Sequence, residues 1–359
     1  MKSAIDRKAG KTYNQIVIVI GYNTGEKMKA TIKDVARYAG VSVATVSRYL
    51  NKSPLIAETS AEKVRGAIEA LDYQPSMMAR GLLHGNSKTV ALAVDYSDSE
   101  TYGNDYFLRI QYGLEHELSK NGYYLMICHI GGADGALTLR SLINENRIDG
   151  LVLLSALARE EVMSVVNESR IPCVIAGRSD DPDAVWVDID NISAGELAAQ
   201  RLLETKPAAV GFLANSFDKT FVFERFSGYR HALAAAGIEE NRAFVSDGLT
   251  DAASISAFVR QHFSDLCDAY VVSDSTIGFY FLRELSRRGV RVPEEVQVIG
   301  FDDSVLAAAA DPAMTVVEID VTNLGKSAAR LLIAQLQAED LCPGQNLLPA
   351  RIIHRASTK

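Results

Sequence analysis

Val43, Ala44, Thr45, Ser47 and Arg48 crowd into one short amphipathic stretch, and their chemistry suits the surface of a DNA duplex. Val43 and Ala44 are small and apolar, natural partners for a thymine methyl in the major groove. Thr45 and Ser47 carry hydroxyls for phosphate oxygens, helped by the positive end of a helix dipole. Arg48 reaches either a guanine edge or a phosphate. Further on comes Tyr73-Gln-Pro-Ser-Met-Met-Ala-Arg-Gly-Leu-Leu-His84. Pro75 can open a short helix there, and Met77, Met78, Ala79, Leu82 and Leu83 give it an apolar side with little of its own to pack on. A helix that short is marginal in water. It reads as a segment that folds against a partner, with Leu82 as an apolar wedge for a minor-groove base step, or as a plain interdomain linker helix.

A second set of residues suits a hydroxylated small molecule. The guanidiniums of Arg178 and Arg225 and the carboxylate of Asp302 match a pair of hydroxyls. Ser155 and Ser273 add hydroxyls, and Tyr106 and Phe107 offer aromatic faces to the apolar side of a sugar ring. The same residues would also serve as helix caps or ion pairs, and Asp303 is read as structural. No catalytic signature accompanies them: GxSxG, P-loop, HExxH and kinase patterns are missing. Gly131-Gly132-Ala-Asp-Gly135 lacks GxGxxG spacing and reads as a turn. The four cysteines and six histidines show no metal-ligand spacing, so no metal or cofactor is expected. Scattered cysteines suit reduced, buried thiols in a cytoplasm.

The elements that must hold these groups follow from periodicity. Thr31 can N-cap a helix whose inner side is Ile32, Val35, Ala36 and Ala39. Gly40 ends it, Val41 plugs the corner, and Ser42 caps a second helix with Val46 and Leu50 inward. That is a helix-turn-helix, whose second helix enters the major groove. A third amphipathic helix is predicted over Glu58–Leu71. From Thr89 the chain alternates apolar and amphipathic runs. Strands are predicted at Val90–Val94, Tyr124–Cys128, Leu151–Leu154, Cys173–Ala176, Val185–Val187, Val210–Leu213, Ala243–Val245, Tyr270–Val272 and Val296–Gly300. Helices are predicted near Tyr106–Asn121, Leu137–Asn146, Glu160–Ser169, Ile192–Glu204, Val222–Ala236, Ala252–His262 and Ile277–Arg288. Continuous Val/Ile/Leu runs mean strands buried on both faces, hence parallel sheets in a doubly wound α/β fold. The ligand candidates fall at strand ends, where such folds bind ligands.

Charge is divided unevenly. The whole chain carries −8, but residues 1–27 and 28–86 each carry +3 and the remainder −14. A basic head on an acidic body fits DNA binding by one end. No run approaches the ~18 apolar residues of a membrane span. Ile16–Ile20 is too short for a signal-peptide core, and Met28 is the expected biological start. The expected organisation is an N-terminal extension (1–27), a helix-turn-helix domain (28–75), a hinge (76–87) and an effector-binding body (88–359). The body would form two lobes, about 88–188 with 321–340, and 189–320.

From Met28 to its end the chain resembles the lactose/galactose repressor family of bacterial transcription regulators. The matching residues are Thr31-Ile-Lys-Asp-Val-Ala, Gly40-Val-Ser, Ala44-Thr-Val-Ser-Arg, Leu50-Asn51, Tyr73-Gln-Pro and Ala79-Arg-Gly-Leu82. Asp149-Gly-Leu-Val-Leu-Leu, Ile171-Pro-Cys-Val, Arg225-Phe-Ser-Gly-Tyr229 and Val298-Ile-Gly-Phe-Asp-Asp303 extend them. The resemblance implies a periplasmic-binding-protein-like body, a recognition-helix head at Val43-Ala44, a hinge helix near 76–83, and Arg225 with Asp302 as the ligand clamp. It adds Thr31, Ser42, Asn51, Tyr73, Ser76 and Ala79 to the residues expected against DNA. Ser273-Asp274 stands where the family usually has Asn-Asp, Leu249 where many members have an aromatic, and Asn104-Asp-Tyr-Phe107 where Asn-Pro-Phe-Phe is common. These departures leave the ligand open: a sugar or sugar derivative first, a nucleobase or nucleoside second. The expected protein is a homodimer on a near-palindromic operator, with no membrane partner. It would be switched by a ligand whose sign, inducer or corepressor, is not legible. The competing expectations are a solute-binding protein and a corepressor-dependent regulator of nucleobase metabolism.

Overall fold

A computed structural model describes residues 30–50, 53, 55–73, 86–95, 105–240, 244–338 and 344–359. The chain forms two compact units that divide between Arg80 and Gly81.

The first unit is three helices, α1 (Ile32–Ala39), α2 (Val43–Leu50) and α3 (Glu58–Ala70). Thr31 and Asp34 close a capping box at the start of α1, which satisfies two N–H groups that a helix start leaves without partners. Gly40 ends α1 at φ 64°, a conformation that costs a residue with a Cβ about 1 kcal/mol. Val35, Ala36, Val46, Val64 and Ala67 form the core, with Ile32, Ala39, Val41 and Leu50 packed around them.

The second unit holds two six-stranded sheets. Its strands are β1 (Thr89–Val94), β2 (Tyr124–His129), β3 (Gly150–Leu154), β4 (Cys173–Ala176), β5 (Val185–Ile189), β6 (Val210–Leu213), β7 (Val245–Ser246), β8 (Ala269–Val272), β9 (Gln297–Phe301), β10 (Thr315–Glu318), β11 (Gly344–Leu348) and β12 (Arg351–Ile353). The first sheet runs β11-β5-β4-β3-β1-β2 and the second β12-β10-β9-β8-β6-β7. Every pairing is parallel except β10 with β12. The intervening helices are α4 (Asp105–Lys120), α5 (Gly135–Asn144), α6 (Glu160–Ser169), α7 (Asn191–Leu203), α8 (Thr220–Ala235), α9 (Ala252–His262), α10 (Ser275–Arg287), α11 (Val305–Ala309) and α12 (Val321–Leu336). The central strands are solidly apolar and buried: β1 keeps Val90 to Val94 fully covered, and β8 does the same from Ala269 to Val272. That is the pattern of strands sandwiched between helices.

The chain passes between the lobes three times, after β5, after β10 and between β11 and β12. Helix α12 packs on the first sheet through Leu324, Ala328 and Leu332, and α7 packs on the second through Ala194, Ala198 and Leu202. Strands β10, β11 and β12 were not expected from the sequence. Strand β11 pairs with β5 from far back in the chain and β12 runs antiparallel to β10, so no local strand–helix–strand repeat announces those two. The expected strand over Ala243–Val245 is observed as Val245–Ser246. Leu249 is a core residue of the second lobe.

Candidate functional site

On the first unit, α2 presents Val43, Ala44 and Arg48 to solvent. Ser42 caps the helix, accepting from Thr45 N–H at 3.1 Å, and its hydroxyl lies 2.9 Å from the Thr45 hydroxyl. Thr45 is therefore half-buried and tied to the turn, while Ser47 is half-buried and Thr31 is exposed and holds Asp34. Lys33, Arg37 and Tyr38 on α1 are exposed as well. Tyr73 is partly buried and packs against the three-helix core. The expected contacts Asn51, Ser76, Ala79 and Leu82 lie outside the described residues.

The second unit gathers its polar candidates where the carboxyl ends of both sheets meet. Arg225, on the second turn of α8, is only 4% exposed. Its Nε donates to Asn191 Oδ1 at 3.1 Å and its Nη1 to the Ser273 carbonyl at 2.8 Å. The guanidinium carbon lies 4.9 Å from the Phe221 ring centre and 4.4 Å from that of Phe301, so cation–π contacts clamp it on two sides. Nη2 has no partner among the described residues. Burial lowers the guanidinium pKa to about 10, opposed by Asp274, Asp302 and Asp188; it stays charged at neutral pH. The site depends on two helices touching backbone to backbone. A Cβ on Gly195 of α7 would lie 2.0 Å from the Arg225 carbonyl oxygen, and one on Gly228 of α8 1.9 Å from that of Ile192.

Asp302 follows β9 in the left-handed region, at φ 74°, with its N–H held by the Val317 carbonyl at 3.1 Å. Its Oδ1 accepts from Arg109 Nη1 at 2.6 Å, and Arg109 Nη2 donates to the Ile319 carbonyl at 3.3 Å. Arg109 comes from α4 in the first lobe, so this ion pair crosses between the lobes. A second crossing pair joins Arg178, just past β4, to Glu224 on α8 at 2.8 Å. Asp188 near the end of β5 accepts from Ile189 N–H at 2.7 Å and from Arg178 N–H at 3.0 Å. Burial pushes its carboxyl up to about 6; Glu224 adds to the rise, while those two N–H groups and Arg225 oppose it. Tyr106 on α4 is pushed above the usual phenol range by burial, then by Asp188 and Asp302.

Of the seven expected ligand residues, the structure brings Tyr106, Arg178, Arg225 and Asp302 together here. Ser155 is exposed beside Gly177, where a Cβ would lie 2.4 Å from its Oγ. Phe107 is packed into the first-lobe core with Leu92, Ile110 and Val174. The expectation that the Ser273 hydroxyl faces a ligand is corrected. Ser273 is fully buried, and its hydroxyl accepts from Asn215 N–H at 3.2 Å and bonds Asp274 at 3.3 Å. It contributes instead the carbonyl that holds Arg225. Asp303 is structural, paired with Arg355 at 2.5 Å. Sequence reasoning missed Arg109, Asp188, Asn191 and Glu224. Arg109 and Glu224 sit in the first turns of a helix close to the named Tyr106 and Arg225, which is a positional signal, whereas Asp188 and Asn191 have no named residue beside them in the chain.

Residues 31–76 match the model of bacterial regulatory proteins of the lacI family, and residues 199–358 that of a periplasmic binding protein-like domain. The HTH-type transcriptional regulator CelR of Thermobifida fusca is 32% identical over 336 residues, spanning 92% of this chain and 99% of its own. The HTH-type transcriptional repressor PurR of Vibrio atlanticus is 32% identical over 316 residues, spanning 87% and 93%. Among solved structures, the transcriptional regulator CelR–cellobiose complex superposes with a TM-score of 0.68, at 32% identity, covering 92% of this chain and all of that one. The Lac repressor dimer bound to operator and the anti-inducer ONPF shares the fold with a TM-score of 0.77, at 21% identity, covering 92% and 99%.

Proposed function

The chain belongs to the lacI family and is a helix-turn-helix transcriptional regulator, and we propose that it is a dimeric repressor whose effector, a sugar or related polyol, binds between the two lobes on Arg225 and Asp302. The observation that carries this reading is Arg225: a nearly buried guanidinium, fixed by Asn191, Ser273 and two aromatic rings, whose Nη2 has no partner among the described residues at the lobe boundary. A preorganised donor of this kind favours an oxygen-rich ligand because little entropy is lost on binding. That CelR has been solved with cellobiose supports a sugar.

DNA would be read by Val43, Ala44 and Arg48, with Thr31, Ser42, Thr45 and Ser47 toward phosphates. The helix-turn-helix offers few base contacts, so two copies on an inverted repeat would supply the specificity. Leu108 and Tyr112 on α4 and Ile127 on β2, an edge strand, are exposed at 64%, 60% and 40%; these apolar side chains suit a face between copies.

Selection of bound duplexes from a random pool tests the DNA half. An inverted repeat is the expected outcome, and a single unrepeated half-site would refute the dimer on DNA. For the effector half, a sugar that raises Tm should change operator affinity. Weaker binding makes it an inducer and tighter binding a corepressor. Arg225→Ala should abolish that response while leaving ligand-free DNA binding intact, and a full response in the variant would exclude the clamp.

A further inference from the structure

Three arginines and their carboxylates surround the lobe boundary, and two of the three pairs are closed. Arg109 holds Asp302 at 2.6 Å and Arg178 holds Glu224 at 2.8 Å. Asp274 is occupied at its own helix start, accepting from Thr276 N–H and Ile277 N–H, each at 2.9 Å, and from Asn215. The third pair is open. Among the described residues no arginine or lysine nitrogen lies within 4.0 Å of the Asp188 carboxylate, which is held from behind by two backbone N–H groups. Arg178 links the two sides: its N–H holds Asp188 at 3.0 Å and its Nη1 holds Glu224, the residue before Arg225 on α8, at 2.8 Å. Asp188 belongs to the first lobe and Arg225 to the second.

We infer that Asp188 is a specificity-determining residue for the effector, and that one hydroxyl of a neutral polyol bridges the lobes by donating to Asp188 and accepting from Arg225 Nη2. This rests on the reading of the cleft as the effector site and names the ligand class that fits it. A hydroxyl both donates and accepts. An ammonium only donates and is repelled by Arg225; a carboxylate or phosphate only accepts and is repelled by Asp188. The groups facing Asp188 are Arg178 past β4, Glu224 and Arg225 on α8, and Tyr106 on α4, with Asp302 beyond. Two of these charges already neutralise each other, so a neutral ligand leaves the balance unchanged.

The test is a thermal-shift panel on the full chain at pH 7.5, followed by calorimetry on wild type, Asp188→Asn and Arg225→Lys. Its neutral members are cellobiose, glucose, galactose and ribose; its charged members are glucosamine, glucuronate and glucose 6-phosphate. The expected result is a neutral binder whose Kd rises about tenfold in Asp188→Asn, the loss of one charge-assisted hydrogen bond. Its binding in wild type should weaken below about pH 6, and Asp188→Asn should flatten that profile. A neutral binder weakened by Arg225→Lys but not by Asp188→Asn overturns the role of Asp188 and keeps the cleft reading. A binder indifferent to both overturns the cleft reading as well. Binding by charged members alone, or by no member, overturns the ligand class.

Discussion

Asp188 is a half-buried carboxylate with no cation in contact among the described residues, and its consequence for stability has a definite sign. Its folded pKa of about 6 exceeds the value of about 3.9 for an unfolded chain. The folded state therefore binds the proton more tightly between those values. Its contribution is most favourable below the unfolded pKa and is lost as pH rises through about 6. Asp188→Asn should raise stability by about 1–2 kcal/mol at pH 7.5, a value reduced from the full shift because the group is partly solvated. The gain should vanish near pH 4. Paired denaturation curves at the two pH values check this, and an equal effect at both would refute the assignment. Arg225 was legible in the sequence because an arginine near a helix start, after a strand, is a recognisable ligand group. Asp188 was not, because Val185-Trp-Val-Asp-Ile189 reads as a strand and its carboxylate gains meaning only from α8, which is remote in the chain. Ser273 misled for the converse reason: a serine at a strand end looks available until the Asn215 and Asp274 contacts that bury it are seen.

Helices α7 and α8 show how an element places a residue. Gly195 lies against the Arg225 backbone and Gly228 against that of Ile192; the same device recurs in the first lobe, where Gly113 of α4 meets Thr322 of α12 and Gly325 meets Ile110. Gly195→Ala must push the helices apart, because its Cβ would meet a carbonyl oxygen, not a flexible side chain. Overpacking of about 1–3 kcal/mol outweighs the helix-propensity gain of up to about 1 kcal/mol. The variant should be less stable and should also lose effector response, since Asn191 and Arg225 separate. Gly66 in α3 is the contrast. Nothing lies within 4 Å of its added Cβ, so Gly66→Ala should stabilise the first unit by about 0.5–1 kcal/mol. Thermal melts followed by circular dichroism decide both signs. At this scale Glu160–Ser169 and Ala252–His262 match their predicted spans, whereas no helix was predicted over Val321–Leu336, the 16 residues of α12. The sequence was silent for β11 and β12, which exist because β5 and β10 offer them an edge.

At the scale of the whole second unit, the lobes are joined by three chain crossings and by the two ion pairs Arg109–Asp302 and Arg178–Glu224. The crossings allow the lobes to move, and the ion pairs favour their approach. Arg109 matters most, because it also grips the Ile319 carbonyl at the second crossing. The Arg109–Asp302 side chains are only 19% and 15% exposed, so removing the arginine leaves a poorly solvated carboxylate facing the first lobe. Breaking a buried pair by deleting one partner typically costs about 3–5 kcal/mol, less where water can reach. The second lobe can escape most of that cost by swinging away and hydrating Asp302. Arg109→Met combined with Glu224→Gln should therefore yield a folded protein with lobes further apart. Small-angle scattering should show a larger radius of gyration, and hydrogen exchange should quicken at the crossings near 188–191 and 318–321. A neutral polyol bridging Asp188 and Arg225 should draw the lobes together again at higher concentration than wild type needs, because closure must then be driven by the ligand alone. Unchanged scattering and exchange in the double variant would mean that the crossings, not the ion pairs, set the lobe spacing.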